Sequence, residues 1–229
     1  MAKRIQSVGK CEICGGEFSK SAMGRHLKAC IGKHAVPPKN AKLHPMFHLS
    51  IEGRYLPDFW IHIETATDTK FDDVDAYLRE LWLECCGHMS AFRFPVPKQD
   101  AMKLAFNFDF EAMEREEARL MASKLGSRLK VGDKIDYEYD FGSTTELKIK
   151  VVAEREGTLK PGKIKLMARN LMPDIRCECG KPAVEVCTQC MWDGDGWLCK
   201  ACGRKHECDE EMFLPVVNSP RVGVCAYAG

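Results

Sequence analysis

Alternating apolar and polar residues predict several β-strands in the middle of the chain. A turn at Leu56-Pro57-Asp58 separates the first two strands, and Gly142-Ser143 separates a later pair, so each pair is expected to form a hairpin. The predicted strands cover residues 46–52, 59–64, 88–94, 137–141, 144–152 and 163–169.

Two further stretches have the apolar spacing of amphipathic helices. The first covers about residues 71–85 and follows Thr69, a residue type that caps helices. The second covers about 111–125, is rich in Glu, Ala and Met, and ends before Gly126. The central segment is therefore expected to be an α+β domain, a mostly antiparallel sheet with two covering helices.

Composition narrows the class of protein. The 229 residues are 45% hydrophobic and 29% charged, enough to bury a core. No apolar run approaches the roughly 18 residues of a membrane span, and the N-terminus lacks the apolar stretch of a secretory signal, so we expect a cytoplasmic protein. Thirteen cysteines in a reducing compartment indicate metal sites rather than disulfides.

The first cysteine group has the spacing of a small zinc finger. Cys11, Cys14, His26 and Cys30 follow the pattern C-x2-C-x11-H-x3-C. A C-x2-C knuckle turns both sulfurs toward one metal, and residues four apart share one face of a helix. These four residues are predicted to hold one zinc ion that supplies most of the folding free energy of the segment.

The charge near this finger suggests a partner. Residues 1–44 contain nine Lys or Arg against two Glu, a net charge of +7. The predicted nucleic-acid contacts are basic residues of the finger: Lys20, Arg25, Lys28 and Lys33. A purely structural finger is the alternative. The ligand spacing also resembles the C2HC ubiquitin-binding finger of DNA-repair ligases, in which an Asp occupies the position of Lys28, and this resemblance implies a ubiquitin-like partner.

The C-terminal segment contains more cysteines than the first group, and it is acidic. Residues 177–212 hold eight Asp or Glu against four Lys or Arg, which favours protein contact over nucleic acid. Seven cysteines and one histidine are enough for two closed, structural zinc sites, which brings the expected total to three zinc ions. The eight predicted ligands are Cys177, Cys179, Cys187, Cys190, Cys199, Cys202, His206 and Cys208.

The order of these ligands resembles the MYND finger, a peptide-binding module. That resemblance implies interleaved pairing, with Cys177, Cys179, Cys199 and Cys202 around one zinc and the other four residues around the second. Sequential pairing remains open, because spacing indicates ligand number better than topology. The three remaining cysteines are predicted not to bind metal: Cys85 and Cys86 as core residues at a helix end, and Cys225 as an unpaired small hydrophobe or, alternatively, a reactive thiol.

The central segment resembles the plasmid pRiA4b ORF-3-like family over about residues 45–170. The resemblance rests on Phe47-His-Leu-Ser-Ile, Pro57-Asp-Phe-Trp60, His88-Met-Ser-Ala-Phe92 and Tyr137-Glu-Tyr-Asp-Phe-Gly142. The family motif continues with an Asp, a Trp and a His, where this chain has Ser143-Thr-Thr-Glu-Leu147. Members occur in plasmids and transposons without an established chemistry, so the resemblance implies a fold and a link to mobile elements.

The expected organisation has four parts: a C2HC finger over 1–35, a proline-containing linker over 36–44, the α+β domain over 45–172, and a MYND-like double-zinc module with a tail over 173–229. Two small zinc-binding modules thus flank the central domain.

Our leading hypothesis is a non-enzymatic zinc-binding protein, a mobile-element-related nucleic-acid-binding or adaptor protein whose C-terminal module holds a protein partner. The alternative is a pure protein-interaction adaptor. A hydrolase or nuclease ranks third, and would gain support if Asp140, Glu146 and His62 met in one cleft. Asp140 is expected to cap the turn after it. Tyr137, Tyr139 and Phe141 are expected to share one strand face, as core or as a stacking platform.

Overall fold

The structure, a computed structural model, describes residues 7–34, 37–95 and 110–229. The strands are β1 (Val8–Cys11), β2 (Glu17–Ser19), β3 (His44–Gly53), β4 (Trp60–Ala66), β5 (Ser90–Arg93), β6 (Lys134–Tyr139), β7 (Thr145–Gly157), β8 (Ile164–Asn170), β9 (Glu185–Cys187), β10 (Trp197–Leu198) and β11 (Phe213–Pro215). The α-helices are α1 (Lys20–His34), α2 (Phe71–Leu78), α3 (Phe110–Ala122) and α4 (Lys200–Gly203). No helix in these ranges is long and apolar enough to cross a membrane.

An antiparallel sheet of eight strands organises the molecule, in the order β2-β1-β8-β4-β3-β7-β6-β5. The two predicted hairpins are confirmed as β3–β4 and β6–β7, and β5 and β8 are the other two predicted strands. Strand β3 pairs with β7 along its whole length, from His44 opposite Gly157 to Gly53 opposite Leu147. The α+β prediction is confirmed.

The principal core lies on one face of this sheet. Alternate residues of the central strands, such as Leu49, Ile61 and Ile149, are buried there. Apolar residues of α2 and of the π-helical turn Arg79–Leu83 that continues it pack on the same cluster. The predicted helix over 71–85 is therefore two elements, since α2 ends at Leu78 and the chain continues as a wider turn.

Helix α2 begins differently from the sequence prediction. Its N-cap residue is Lys70, whose backbone N–H donates to Asp73 Oδ2 at 3.0 Å. The predicted cap, Thr69, is fully buried, and its hydroxyl oxygen accepts the Gly162 N–H at 3.0 Å. The prediction that Thr69 caps the helix was wrong, because its side chain instead holds the loop before β8.

Helix α1 covers part of the opposite face. Met23 and Leu27 of α1 are fully buried with Trp60 of β4 in a second apolar cluster. Strand β1 pairs with β8, with Lys10 opposite Arg169, so the segment predicted as a finger adds two strands to the central sheet. The helix of the finger is thereby held at a fixed place on the domain.

The C-terminal segment forms a small three-stranded sheet in the order β10-β9-β11. Val186 of β9 and Val222 of the following tail are buried in the principal core. In the tail, Asn218 Oδ1 accepts the Asn170 amide at 2.6 Å, and Ser219 Oγ donates to the Trp82 carbonyl at 2.6 Å. The C-terminal segment thus packs on the central sheet through apolar and polar contacts.

Candidate metal centres

The structure gathers the four predicted N-terminal ligands into one cluster. Cys11 ends β1, Cys14 lies in the turn before β2, and His26 and Cys30 lie on α1. Their four ligand atoms lie within 4.8 Å of one another. Cys11 Sγ is 3.9 Å from Cys30 Sγ, and Cys14 Sγ is 3.4 Å from His26 Nε2.

These distances fit tetrahedral coordination. Zinc bonds of about 2.3 Å to sulfur and about 2.05 Å to nitrogen give sulfur–sulfur edges of about 3.8 Å and sulfur–nitrogen edges of about 3.5 Å. Phe18 stacks on the His26 ring at 3.7 Å and holds its orientation. Burial, with the charges of His34 and Lys33, lowers the pKa of His26, which favours the neutral imidazole that metals bind.

The eight predicted C-terminal ligands form two groups. Cys177, Cys179, Cys199 and Cys202 lie together, and so do Cys187, Cys190, His206 and Cys208. This is the interleaved order, and it differs from the sequential pairing that the spacing also allowed. The sulfurs of Cys179 and Cys199 are 3.5 Å apart, as are those of Cys190 and Cys208.

Local backbone geometry favours thiolates in the first of these groups. Cys199 is the N-cap of α4, so its sulfur lies beside the backbone N–H groups of the first helical turn. A hydrogen bond from the Cys202 backbone is the main cause that lowers the pKa of the Cys199 thiol to about 6. In the second group, His206 Nε2 is buried and has no hydrogen-bond partner in the described structure, which fits a metal ligand.

A fourth group of the same kind was missed by sequence reasoning. Cys85, Cys86, His88 and Cys225 have ligand atoms within 4.8 Å of one another. Cys85 is half-buried and Cys86 is exposed, so the prediction of a core residue is wrong for Cys86. Cys225 is also exposed, and it lies beside other thiols and a histidine rather than standing unpaired. All thirteen cysteines are free thiols and each belongs to one of four clusters that can hold a metal ion. The sequence predicted three of these four clusters.

The residues predicted to contact nucleic acid lie in two kinds of environment on α1. Arg25, Lys28 and Lys33 are exposed and have no ion-pair partner among the residues described. Lys20 at the start of the helix is half-buried, with Nζ 2.5 Å from Glu52 Oε2 and donating to the Pro57 carbonyl at 2.5 Å. Lys20 therefore fastens α1 to β3 and to the β3–β4 turn.

The three residues considered for catalysis do not share a contact within the described ranges. Asp140 accepts the Gly142 and Ser143 N–H groups through Oδ1, at 3.0 and 3.2 Å, which confirms its predicted turn-capping role. Its Oδ2 binds the buried Arg221 at 2.7 Å. Glu146 pairs instead with Arg54 at 3.2 Å.

His62 lies beside Trp60, the β4 residue that packs under α1. Its Nδ1 is 2.8 Å from His48 Nε2, and both rings are buried. Burial lowers the pKa of His62 to about 3 and that of His48 to about 4, with positive neighbours adding to each shift. The two rings therefore form a neutral hydrogen-bonded pair in the sheet, which sequence reasoning did not identify.

Two of the three aromatic residues expected to share a strand face belong to the core. Tyr137 and Tyr139 of β6 are fully buried, as the core interpretation predicted. Phe141 is 42% exposed and lies beyond the end of the strand. Asp140 has a φ of 64°, which turns the chain before Phe141, so the expectation that all three share one face was wrong.

A groove of about 410 Å³ lies where the C-terminal module meets the central sheet. Its walls include Met191, Trp197 and Val222, and two large aromatic residues stand at its edge. Tyr55 is 76% exposed and Trp192 is 75% exposed. Exposed aromatic residues beside an apolar groove are typical of a binding surface.

Comparison of the chain with known family models and with curated proteins found no match. Among solved structures, the chain is similar to a protein of unknown function from Methanosarcina mazei Go1, with 16% sequence identity and a TM-score of 0.38. The similarity covers 56% of this chain and 68% of that one.

Proposed function

We propose that this chain is a non-enzymatic, cytoplasmic zinc-binding protein that contacts nucleic acid through α1 and holds a protein partner beside its C-terminal metal centres. The main observation in support of the nucleic-acid contact is the exposed side of α1. That helix contains four Lys or Arg and no acidic residue, and its apolar side is buried against the sheet.

Zinc is the metal that best suits the predicted sites. Their donor sets are three thiols with one imidazole, or four thiols, and such closed sets are typical of structural zinc. Free thiols at every cysteine are consistent with a reducing cytoplasm. Metal analysis of the purified protein tests this, with at least the three ions that the sequence predicts as the expected result.

The proposed nucleic-acid contact is electrostatic. Arg25, Lys28 and Lys33 lie on a helix that is fixed by Trp60 and by the Lys20–Glu52 ion pair, so phosphates would meet a preordered set of cations. Each phosphate contact adds about 0.9 to the slope of log affinity against log salt for duplex DNA. Three side chains read little sequence, and binding to random DNA or RNA is the expected activity.

The experiment compares two triple variants in fluorescence-anisotropy titrations with random duplex DNA and RNA at several salt concentrations. Substituting Arg25, Lys28 and Lys33 by Gln should weaken binding and reduce the salt slope by about 2 to 3. The control substitutes Lys181, Arg204 and Lys205, exposed basic residues of the acidic C-terminal module, and should leave the slope unchanged. Equal effects of both triples would contradict the proposal.

A second contact, with protein, is favoured by the exposed aromatic pair at the C-terminal groove. Tyr55 and Trp192 leave most of their surfaces in water although apolar walls lie next to them. Peptides selected from a random display library on the wild-type protein should lose binding to Trp192→Ala and retain it on Leu43→Ala, a variant at another exposed apolar residue. Retention on both variants would argue against the groove.

We also propose a role for the protein in mobile elements, which is the setting implied by the resemblance of residues 45–170 to the pRiA4b ORF-3-like family. The motif residues have structural roles, since Tyr137 and Tyr139 are core and Asp140 caps a turn. Such roles suit a scaffold that presents two binding surfaces.

A further inference from the structure

The fourth cysteine cluster connects two distant parts of the chain. Cys85 and Cys86 follow the π-helical turn after α2, His88 precedes β5, and Cys225 lies in the tail after the C-terminal module. Cys86 and Cys225 are 139 positions apart in sequence. Only the fold brings Cys225 to the other three residues, so a chance local spacing of thiols does not explain the complete cluster.

The distances in this cluster match those of tetrahedral zinc. Cys86 Sγ is 3.8 Å from Cys225 Sγ, against an ideal sulfur–sulfur edge of about 3.8 Å. Cys225 Sγ is 3.5 Å from His88 Nε2, against an ideal sulfur–nitrogen edge of about 3.5 Å. The agreement is as good as in the predicted N-terminal site, where the corresponding distances are 3.9 and 3.4 Å.

The surroundings of His88 have the arrangement found around metal-binding histidines. Nδ1 faces a carboxylate, with Asp140 Oδ1 3.6 Å away, while Nε2 faces the thiols. Metal-binding histidines commonly direct their second nitrogen to a carboxylate, which fixes the ring and its tautomer. Asp140 is itself held by the fully buried Arg221 through Oδ2 at 2.7 Å. The carboxylate that faces His88 is therefore held in place.

Arg221 also contacts the cluster directly. Its Nη2 donates to Cys85 Sγ at 3.4 Å. Three thiolates and one imidazole around Zn²⁺ leave a net charge of −1, and a buried guanidinium next to a ligand sulfur partly neutralises it. Because Arg221 belongs to the tail that carries Cys225, the same tail segment supplies both a ligand and the compensating charge.

We propose that Cys85, Cys86, His88 and Cys225 form a fourth zinc site, which fastens the tail after the C-terminal module to the central domain. All four positions are filled by protein, so the site is structural. Cys86 and Cys225 are exposed, whereas each of the other three sites contains at least one buried cysteine, so this ion exchanges first with a chelator in solution.

Native mass spectrometry of zinc-replete protein tests the site by counting bound ions. The wild-type chain should hold four zinc ions, and Cys225→Ser and Cys86→Ser should each hold three. Met89→Leu changes an exposed neighbour that is not a ligand and should still hold four. Cys14→Ser, in the N-terminal cluster, should also lose one ion and gives the size of a single-site loss.

Two results would overturn the proposal: the same ion count in wild type and in both Cys86→Ser and Cys225→Ser, or a Cys86–Cys225 disulfide in wild-type protein purified under reducing conditions. Alkylation provides a readout that does not depend on how the variants fold. In the wild type, limited chelator should expose Cys86 and Cys225 to iodoacetamide before any other cysteine. Equal labelling of these two thiols with and without zinc would contradict the site even if both Ser variants fail to fold.

Discussion

The buried pair formed by His48 and His62 should make the folded protein less stable in mild acid than at neutral pH. In the unfolded chain both imidazoles have the ordinary pKa near 6.5, whereas burial lowers the pKa of His48 to about 4 and that of His62 to about 3 in the folded protein. Below pH 6.5 the unfolded chain therefore binds up to two more protons than the folded one.

The sign and size of the effect follow from that difference. The two neutral histidines make their full contribution to the free energy of unfolding above pH 6.5. This contribution is lost as the pH falls toward the folded-state pKa values. Each histidine costs about 1.4 kcal/mol per pH unit in the fully developed range. Between pH 7 and pH 5.5 the pair together lowers the free energy of unfolding by about 2.5 kcal/mol.

Urea unfolding at pH 7.0, 6.5, 6.0 and 5.5 measures this dependence in the wild type and in the double variant His48→Gln/His62→Gln. The variant should lose about 2.5 kcal/mol less than the wild type over the range. Release of metal at low pH affects both proteins and cancels in the comparison. His34→Gln, at an exposed histidine, serves as the control and should follow the wild type. Identical pH slopes for wild type and the double variant would refute the reasoning.

Three further predictions concern packing and metal. Arg221→Met leaves the Asp140 carboxylate buried without its cation, and urea unfolding should show a loss of about 3–5 kcal/mol; a loss below about 1 kcal/mol would contradict the geometry. Trp60→Ala empties the centre of the cluster beneath α1 and should cost about 3–5 kcal/mol, with faster amide exchange in α1 than in α2; equal acceleration in both helices would argue against a local role. Excess chelator should abolish exchange protection in β9–β11 while β3 and β4 stay protected, and loss of protection in all strands at once would show that metal holds the central sheet as well.

The sequence predicted those parts of the fold whose signal is local. The β3–β4 and β6–β7 hairpins follow from alternation on both sides of a short turn, and both are present. The ligand groups of the N-terminal and C-terminal segments follow from C-x2-C and similar spacings, which bring ligands together over a few residues. In each case the residues that interact are close enough in sequence for the pattern to be visible.

What the sequence could not predict depends on contacts between distant segments. Cys225 has no ligand-like neighbour in sequence, and its partners become apparent only when the tail lies against the start of β5. In the sequence, Lys20 is indistinguishable from the other basic residues of α1. The fold, however, places Glu52 Oε2 2.5 Å from its Nζ. The pairing of β1 with β8 could not be predicted from the sequence either, because β1 has only four residues and no extended alternation of apolar and polar residues.

The position of β1 in the sheet also orders events during synthesis. The ligands of the N-terminal cluster lie within twenty residues of one another, so the ribosome exposes a complete binding set early. The neighbour of β1 on the side of the central domain, however, is β8, which ends at Asn170. At translation speeds of about 5–20 residues per second, the nascent finger waits roughly 7 to 30 seconds for that strand. During that interval the apolar side of α1, with Met23 and Leu27, lacks its contacts with Met167 and Ala168 of β8, and the nascent chain is then a candidate substrate for chaperones.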